Sequence, residues 1–348
     1  MLPRPLRIGI AGTGFGAAVH LPALQSLPGV TVAAIAGARP EKTEEIARRY
    51  GVAACRGIEE LLALDLDAVT LALPPALAET AAGIALDRGL AILAEKPLAS
   101  SVDAAENLAR RAATRTTMID FEFAERDAFR ALHDAIARGE LGRIERIAVT
   151  WTMQSHAHRH RIWSWKTDRT RQGGVVTLLG THILYLLEWL LGPIAFTAAH
   201  EDNAATQLFA PQGGIGAADR VAWRGRTSTG AAIAVELCNS ASGKPRHRWE
   251  IVGAAGSAVL ASSPGDTVAG FRLSVAAAGK PIREFLSEKA APGDSRLPPF
   301  RALAERFVGA LRAGTACQPD FAAGARVQRL VADIEALTQG RQAARAAV

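Results

Sequence analysis

Apolar and polar positions change their rhythm along this 348-residue chain. From residue 6 to residue 123, short runs rich in β-branched residues and alanine alternate with longer stretches whose apolar positions recur at three-and-four spacing, which is the beat of parallel βαβ units. The runs Arg7–Ala11, Val32–Ala36, Ala68–Leu73, Ala91–Ala94 and Met118–Phe121 predict strands. Between them, Ala18–Leu27, Pro40–Tyr50, Ala76–Asp87 and Val102–Ala113 predict helices, the last with Ser101 as its N-cap.

After Phe123 the texture changes. Arg126–Arg138 reads as a helix ended by Gly139, and a long alternating strand runs from Ile144 toward Ser155. A very apolar helix over Gly180–Leu191 is stopped by Gly192-Pro193. From Phe196 to Leu273 the pattern is antiparallel strands with turns at Thr229-Gly230 and Ala255-Gly256. Helices over Phe300–Ala313 and Gly324–Thr338 close the chain, and the alanine-rich tail after Gln339 is expected to fray. The predicted fold is α/β. An N-terminal Rossmann domain with a doubly wound parallel sheet occupies residues 1–123, and residues 124–348 form an α+β domain with an open, mostly antiparallel sheet, its last helices free to pack back on the first domain.

Composition agrees. The length suits two domains at about 150 residues each, and 49% hydrophobic with 21% charged residues is globular rather than disordered. Cys55, Cys238 and Cys317 are far apart and odd in number, so they read as small core hydrophobes rather than a disulfide framework or metal site. A net charge of +6, concentrated only between Arg159 and Arg171, is too modest for a nucleic-acid partner and suits a pyrophosphate cofactor and a small, anionic substrate. The apolar run Ile8–Gly12 is too short for a leader and no later run spans a bilayer, so a cytoplasmic protein without a membrane partner is expected.

The first strand leads into Gly12-Thr13-Gly14-Phe15-Gly16-Ala17 and then a helix, which is G-x-G-x-x-G/A in strand-turn-helix context. Gly12 permits the tight turn, Gly14 lets backbone approach a pyrophosphate, and the small Ala17 lets helix and strand pack. The end of the second strand reads Ile35-Ala36-Gly37-Ala38-Arg39-Pro40, with no carboxylate for a ribose 2′-hydroxyl and with Arg39 free for a 2′-phosphate. This favours NADP, with NAD as the alternative.

Gly12 to Gly16 followed by His20-Leu21-Pro22-Ala23-Leu24, Glu95-Lys96-Pro97-Leu98 after a late parallel strand, and Gly173-Gly174 through Gly180-Thr181-His182 to Gly192 together resemble the Gfo/Idh/MocA family of oxidoreductases. The resemblance covers nearly the whole chain and implies hydride transfer between NAD(P) and a hydroxyl or ketone of a sugar, cyclitol or nucleotide sugar. It implies Lys96 at the nicotinamide ribose and substrate hydroxyl, His182 as the acid/base facing it across the nicotinamide, and Leu73, Pro74 and Glu95 among the cofactor contacts. An imidazole able to take a proton and an ammonium able to steady an alkoxide are reasonable chemistry for that reaction. The family's open sheet further implies a homodimer or homotetramer.

The departures matter. Leu178 stands where the family has an aspartate one turn before the histidine, Tyr185 where another aspartate is common, Gln172 where a third glycine is usual, and Ala78 where a histidine often stands. Either Tyr185 or Glu122 takes over the orienting role, or the chain has drifted toward a redox-silent dinucleotide sensor or a dinucleotide-assisted glycosidase. On a strand, His156, His158 and His160 would face one way, but no acid or cysteine joins them and no metal is expected. Trp165 and Lys166 offer a flat ring and a cation suited to a sugar or phosphate.

Overall fold

The computed structural model describes residues 4–286 and 293–346. They fall into two compact units, one taking residues up to Glu125 together with Arg296–Gln328, the other Arg126–Ser295 and the chain from Arg329 onward. The first unit therefore completes its core with distant sequence. In the helix Leu297–Ala313, Phe300, Leu303 and Phe307 join Ile8, Ile10, Val19, Leu24 and Ile35 in one buried cluster.

The first unit is built on six parallel strands, β1 (Leu6–Ala11), β2 (Val30–Ala36), β3 (Ala53–Cys55), β4 (Ala68–Leu71), β5 (Ala91–Ala94) and β6 (Thr117–Ile119), in the order β3-β2-β1-β4-β5-β6. The order reverses between β1 and β4, the place where doubly wound sheets bind ligands. Two strands stop earlier than their apolar runs. β4 ends because Pro74 and Pro75 open the helix Pro75–Asp87, the carbonyl of Pro74 accepting from the N–H groups of Leu77 and Ala78. β6 ends because Phe121 N–H turns back to the Ile119 carbonyl at 2.9 Å. The first helix is not uniform either: Gly16–His20 is a widened π-turn leading into Leu21–Gln25. Pro22 has no N–H for the regular ladder, which disfavours a straight α-helix through this stretch. Ser101 caps its helix as expected, its hydroxyl accepting from Ala104 N–H at 3.2 Å.

The second unit carries an eight-stranded sheet of β7 (Ile144–Thr152), β8 (Ile194–Asp202), β9 (Arg220–Thr227), β10 (Ala232–Cys238), β11 (Arg246–Gly253), β12 (Gly256–Ala261), β13 (Arg272–Ala277) and β14 (Arg283–Leu286). The order is β14-β13-β12-β11-β7-β10-β9-β8, antiparallel except where β10 runs parallel to β7. Alternation along β9 buries Val221, Trp223 and Thr227 on one face and exposes Arg220, Ala222, Arg224 and Arg226 on the other, so the open face carries more charge than its alanines suggest.

Two expectations are corrected. His156–His160 is a helix, not a strand, capped by Ser155, so its histidines diverge: His158 turns inward while His156 and His160 stay exposed. The tail does not fray at Gln339, because the last helix runs Phe321–Ala346. Cys55 and Cys238 are buried, whereas Cys317 is half-buried. The segment Arg169–Leu191 is long and apolar enough to cross a membrane, but 67% of its most apolar window is buried within the protein, as in a core helix.

Candidate active site

At the C-terminal end of β1, Gly12 adopts φ +120°, and a Cβ there would lie 2.2 Å from the Ala72 carbonyl oxygen. Only glycine fits this crossing. A Cβ on Gly14 would meet nothing within 4 Å, so its backbone faces open space. A Cβ on Gly16 would press Ala72 Cβ and Ile10 Cγ2 at 3.2 Å, so Gly16 also serves the helix-to-strand packing, beside Ala17, which is buried in the same core cluster as Ile8 and Ile10. The result is a bare-backbone cradle between the ends of β1 and β4, of the kind that fits a dinucleotide pyrophosphate. Leu73 and Pro74 follow Ala72 against this loop, and Thr13 packs on Gly37, where a Cβ would lie 2.4 Å from Thr13 Cγ2. Arg39 is exposed, its backbone carbonyl accepting from Thr43 while no side-chain bond ties down its guanidinium among the described residues.

Glu95 and Lys96 emerge from β5 on the same edge, Glu95 N–H donating to Leu71 carbonyl at 2.8 Å, and the Lys96-Pro97 bond is cis. Glu95 meets His20, Nε2 to Oε1 3.3 Å, and Asp120 closes the group from the end of β6. Glu122 is buried beside them in the turn Glu122–Glu125. Burial works to raise the Glu95 carboxyl, but the bond and charge of His20, with the charge of Lys96, hold it below the ordinary carboxylate range. Burial, reinforced by the neighbouring negative charges of Glu122 and Glu95, pushes Asp120 well up.

In the second unit, Gly173 packs so closely on the Trp165–Lys166 backbone that a Cβ would sit 2.4 Å from Trp165 O, and Gly174 N–H donates to Lys166 carbonyl at 3.0 Å. The Trp165–Lys166 loop is thereby tied to the start of the His182 helix, and Lys166 Nζ lies 5.8 Å from the Trp165 ring centre. Gln172 sits at φ 58°, which accounts for the glycine common in its place. Leu178 lies in a second π-turn, Val176–Gly180, and the helix Thr181–Leu191 carries His182, buried, and Tyr185, half-buried. Behind His182 stands Trp151, ring centres 6.3 Å apart, and Trp151 stacks on His247 at 4.1 Å. Burial above all pushes the His247 ring down to about 3; its Nδ1–H donates to the Thr267 carbonyl and its Nε2 accepts from Trp249. Neither His247 nor Asp120 announces itself in the sequence, since His247 stands between Arg246 and Arg248 like one more polar residue and Asp120 between Ile119 and Phe121 with no motif around it; only their neighbours in space mark them.

The oxidoreductase family with an NAD-binding Rossmann fold, GFO_IDH_MocA, matches residues 6–123, and the GFO/IDH/MocA C-terminal domain matches residues 129–259. The chain belongs to the Gfo/Idh/MocA family. As a Gfo/Idh/MocA protein it is an NAD(P)-binding oxidoreductase. An uncharacterized oxidoreductase of Synechocystis is 30% identical over 94% of this chain and 92% of its own length. A dTDP-3,4-didehydro-2,6-dideoxy-alpha-D-glucose 3-reductase of Streptomyces violaceoruber is 31% identical over 54% of this chain and 55% of that protein. Among solved structures, a levoglucosan dehydrogenase in complex with NADH and levoglucosan superposes with a TM-score of 0.85 at 23% identity, covering 97% of this chain and 98% of that one. The Gfo/Idh/MocA fold therefore extends through both units.

Proposed function

We propose that this oxidoreductase transfers a hydride between NADP and a hydroxyl or ketone carbon of a sugar-like substrate. The observation that carries the reading is the placement of Glu95 and Lys96 on the edge of the first sheet that also holds the bare-backbone cradle at Gly14. When bound, the nicotinamide ring accepts or delivers the hydride. The Gly12–Gly16 loop with Leu73 and Pro74 holds the dinucleotide, and Lys96 offers its ammonium to the oxygen on which negative charge develops. His182 takes the proton of the reacting hydroxyl. Trp165 and Lys166 supply a ring face and a cation for the sugar, and Tyr185 and Glu122 are further substrate contacts. The names of relatives acting on nucleotide sugars and on levoglucosan support the substrate class.

The preference for NADP rests on Gly37 and Arg39. An aspartate at position 37 would force its Cβ into Thr13, and Arg39 has an uncommitted guanidinium for a 2′-phosphate. A cytoplasmic setting, where such dinucleotides are held, fits the reading. The open sheet face supports a homo-oligomer: Ala148, Ala198, Ala222 and Ala234 line a shallow depression of about 560 Å³, with Arg224 set between Ala234 and Ala198 and Glu236 between Thr150 and Ala222, small side chains interleaved with charges of both signs. A monodisperse monomer at micromolar concentration in light scattering would contradict that assembly.

The experiment is a screen of sugars, cyclitols and nucleotide sugars with NADP and NAD, followed by nicotinamide absorbance, and then Lys96→Met and His182→Ala on the substrate found. Both variants should lose most of their turnover, with dinucleotide affinity retained in His182→Ala. Full turnover in both would sink the mechanism.

A further inference from the structure

Between β7 and β8 the second unit carries three histidines that the reading above does not use. They lie on a five-residue helical turn, His156–His160, closed by Arg161 N–H donating to the Ala157 carbonyl. A helix this short does not hold in water by itself. A chain of hydrogen bonds anchors it from the inside. On buried Asp219, Oδ2 receives the Thr206 N–H at 2.8 Å and the Thr206 hydroxyl at 3.1 Å, and Oδ1 receives the Ser240 hydroxyl at 2.9 Å. The Thr206 hydroxyl, having given its hydrogen to the carboxylate, accepts from His158 Nε2–H at 2.9 Å. That leaves His158 Nδ1 as an acceptor, and the Ser155 hydroxyl fills it at 2.8 Å.

Fixing His158 inward fixes what points outward. Residues four apart on a helix are neighbours, their Cβ atoms about 5–6 Å apart, so His156 and His160 share the outer face while His158, two positions from each, turns away. Their ring centres lie 4.4 Å apart with an interplanar angle of 48°. Both are exposed, and among the described residues neither ring has a hydrogen-bond partner. Two imidazoles holding one ion at a right angle, each nitrogen about 2.0–2.1 Å from it, have ring centres about 4.5 Å apart, whereas the wider tetrahedral angle of zinc sets them about 5 Å apart. Right-angled nitrogen sites are those of Cu2+ and Ni2+.

We propose that His156 and His160 chelate one divalent copper or nickel ion on the outer face of this turn, with water in the remaining positions. Histidines at i and i+4 of one helix form a recurrent metal-binding pair. A strand would have set all three histidines in one row; the helix removes His158 from the row and makes it the anchor of the other two. Arg159 and Arg161 stand next to the pair in the chain, and their charge opposes a cation, so binding comes from the two coordinate bonds and not from the surrounding field. The site is independent of the dinucleotide and of the hydride transfer proposed above.

The test uses the untagged chain without cofactor or substrate. Calorimetric titration with Cu2+ and with Ni2+ should show one ion per chain at the strongest site. His156→Ala and His160→Ala should each weaken that binding by at least about tenfold, since even substitutions behind a metal ligand have effects of that size. Both side chains are exposed, so the metal-free variants should unfold at the wild-type temperature. Pulsed electron paramagnetic resonance of the one-ion Cu2+ complex should show coupling to two imidazoles in the wild type and to one in either variant. The proposal is overturned if the strongest Cu2+ site keeps its affinity in both variants, or if the wild-type spectrum shows fewer than two imidazoles.

Discussion

Replacing Gly14 with valine separates cofactor binding from folding in a way few positions allow. A side chain at Gly14 meets nothing within 4 Å, and its φ lies outside the range that only glycine adopts comfortably. The variant should therefore fold, with apo stability changed by less than about 1 kcal/mol. The same side chain fills the space through which the loop N–H groups reach a pyrophosphate. Hydrogen bonds to a charged group contribute about 1.5–3 kcal/mol each. Losing two of them weakens binding by about 3 kcal/mol or more, above a hundredfold in Kd. Gly12→Ala is the contrasting variant. At φ +120° with a Cβ 2.2 Å from the Ala72 carbonyl oxygen, backbone strain and overpacking should cost the fold itself about 2–4 kcal/mol. Calorimetric titration with NADPH and NADH, paired with thermal unfolding of the apo proteins, reads both effects. If Gly14→Val binds the dinucleotide as the wild type does, the cradle is misassigned. If it unfolds as readily as Gly12→Ala, the distinction between an open and a crowded glycine is wrong.

Arg39→Ala should weaken NADP binding about ten- to a hundredfold, the value of one or two charge-assisted bonds, and leave NAD binding unchanged; an equal effect on both in titration would show that Arg39 does not contact the 2′-phosphate. Leu178→Asp should raise turnover if the absent carboxylate limits His182, and unchanged turnover would mean that another group already orients the ring. His247 takes its proton near 6.5 when unfolded but only at about 3 when folded, so its contribution to stability is present above pH 6.5 and is lost as pH falls toward 3. At pH 4.5 that loss amounts to about 3 kcal/mol. Denaturant melts at pH 7 and 4.5 should therefore show a smaller acid loss in His247→Gln than in the wild type, and equal losses would remove His247 as a cause.

The sequence by itself determined five of the six strands of the first unit, because each of these is a continuous apolar run bounded by helix signals, and the glycine loop, which needs no distant partner to be recognised; it missed the three-residue edge strand β3 (Ala53–Cys55), two of whose residues are exposed, and the short helix Ile58–Leu62. It determined the family as well, through Glu95-Lys96-Pro97 in its place after a parallel strand. What it left open were the features made by residues far apart in the chain. Gly16 as well as Ala17 must be small, because Ala72, more than fifty positions on, occupies the space above Gly16. Three histidines at alternate positions looked like one face of a strand, but the Ser155 hydroxyl accepts from His158 N–H and winds the segment into a helix. The first unit's core takes in Phe300 and Phe307 from the far end of the chain, which no local pattern foretells. The ionisation of the acids around Lys96 was legible least of all. A carboxyl's proton affinity depends on burial and on neighbouring charge, and only the folded chain brings His20, Glu95, Asp120 and Glu122 together.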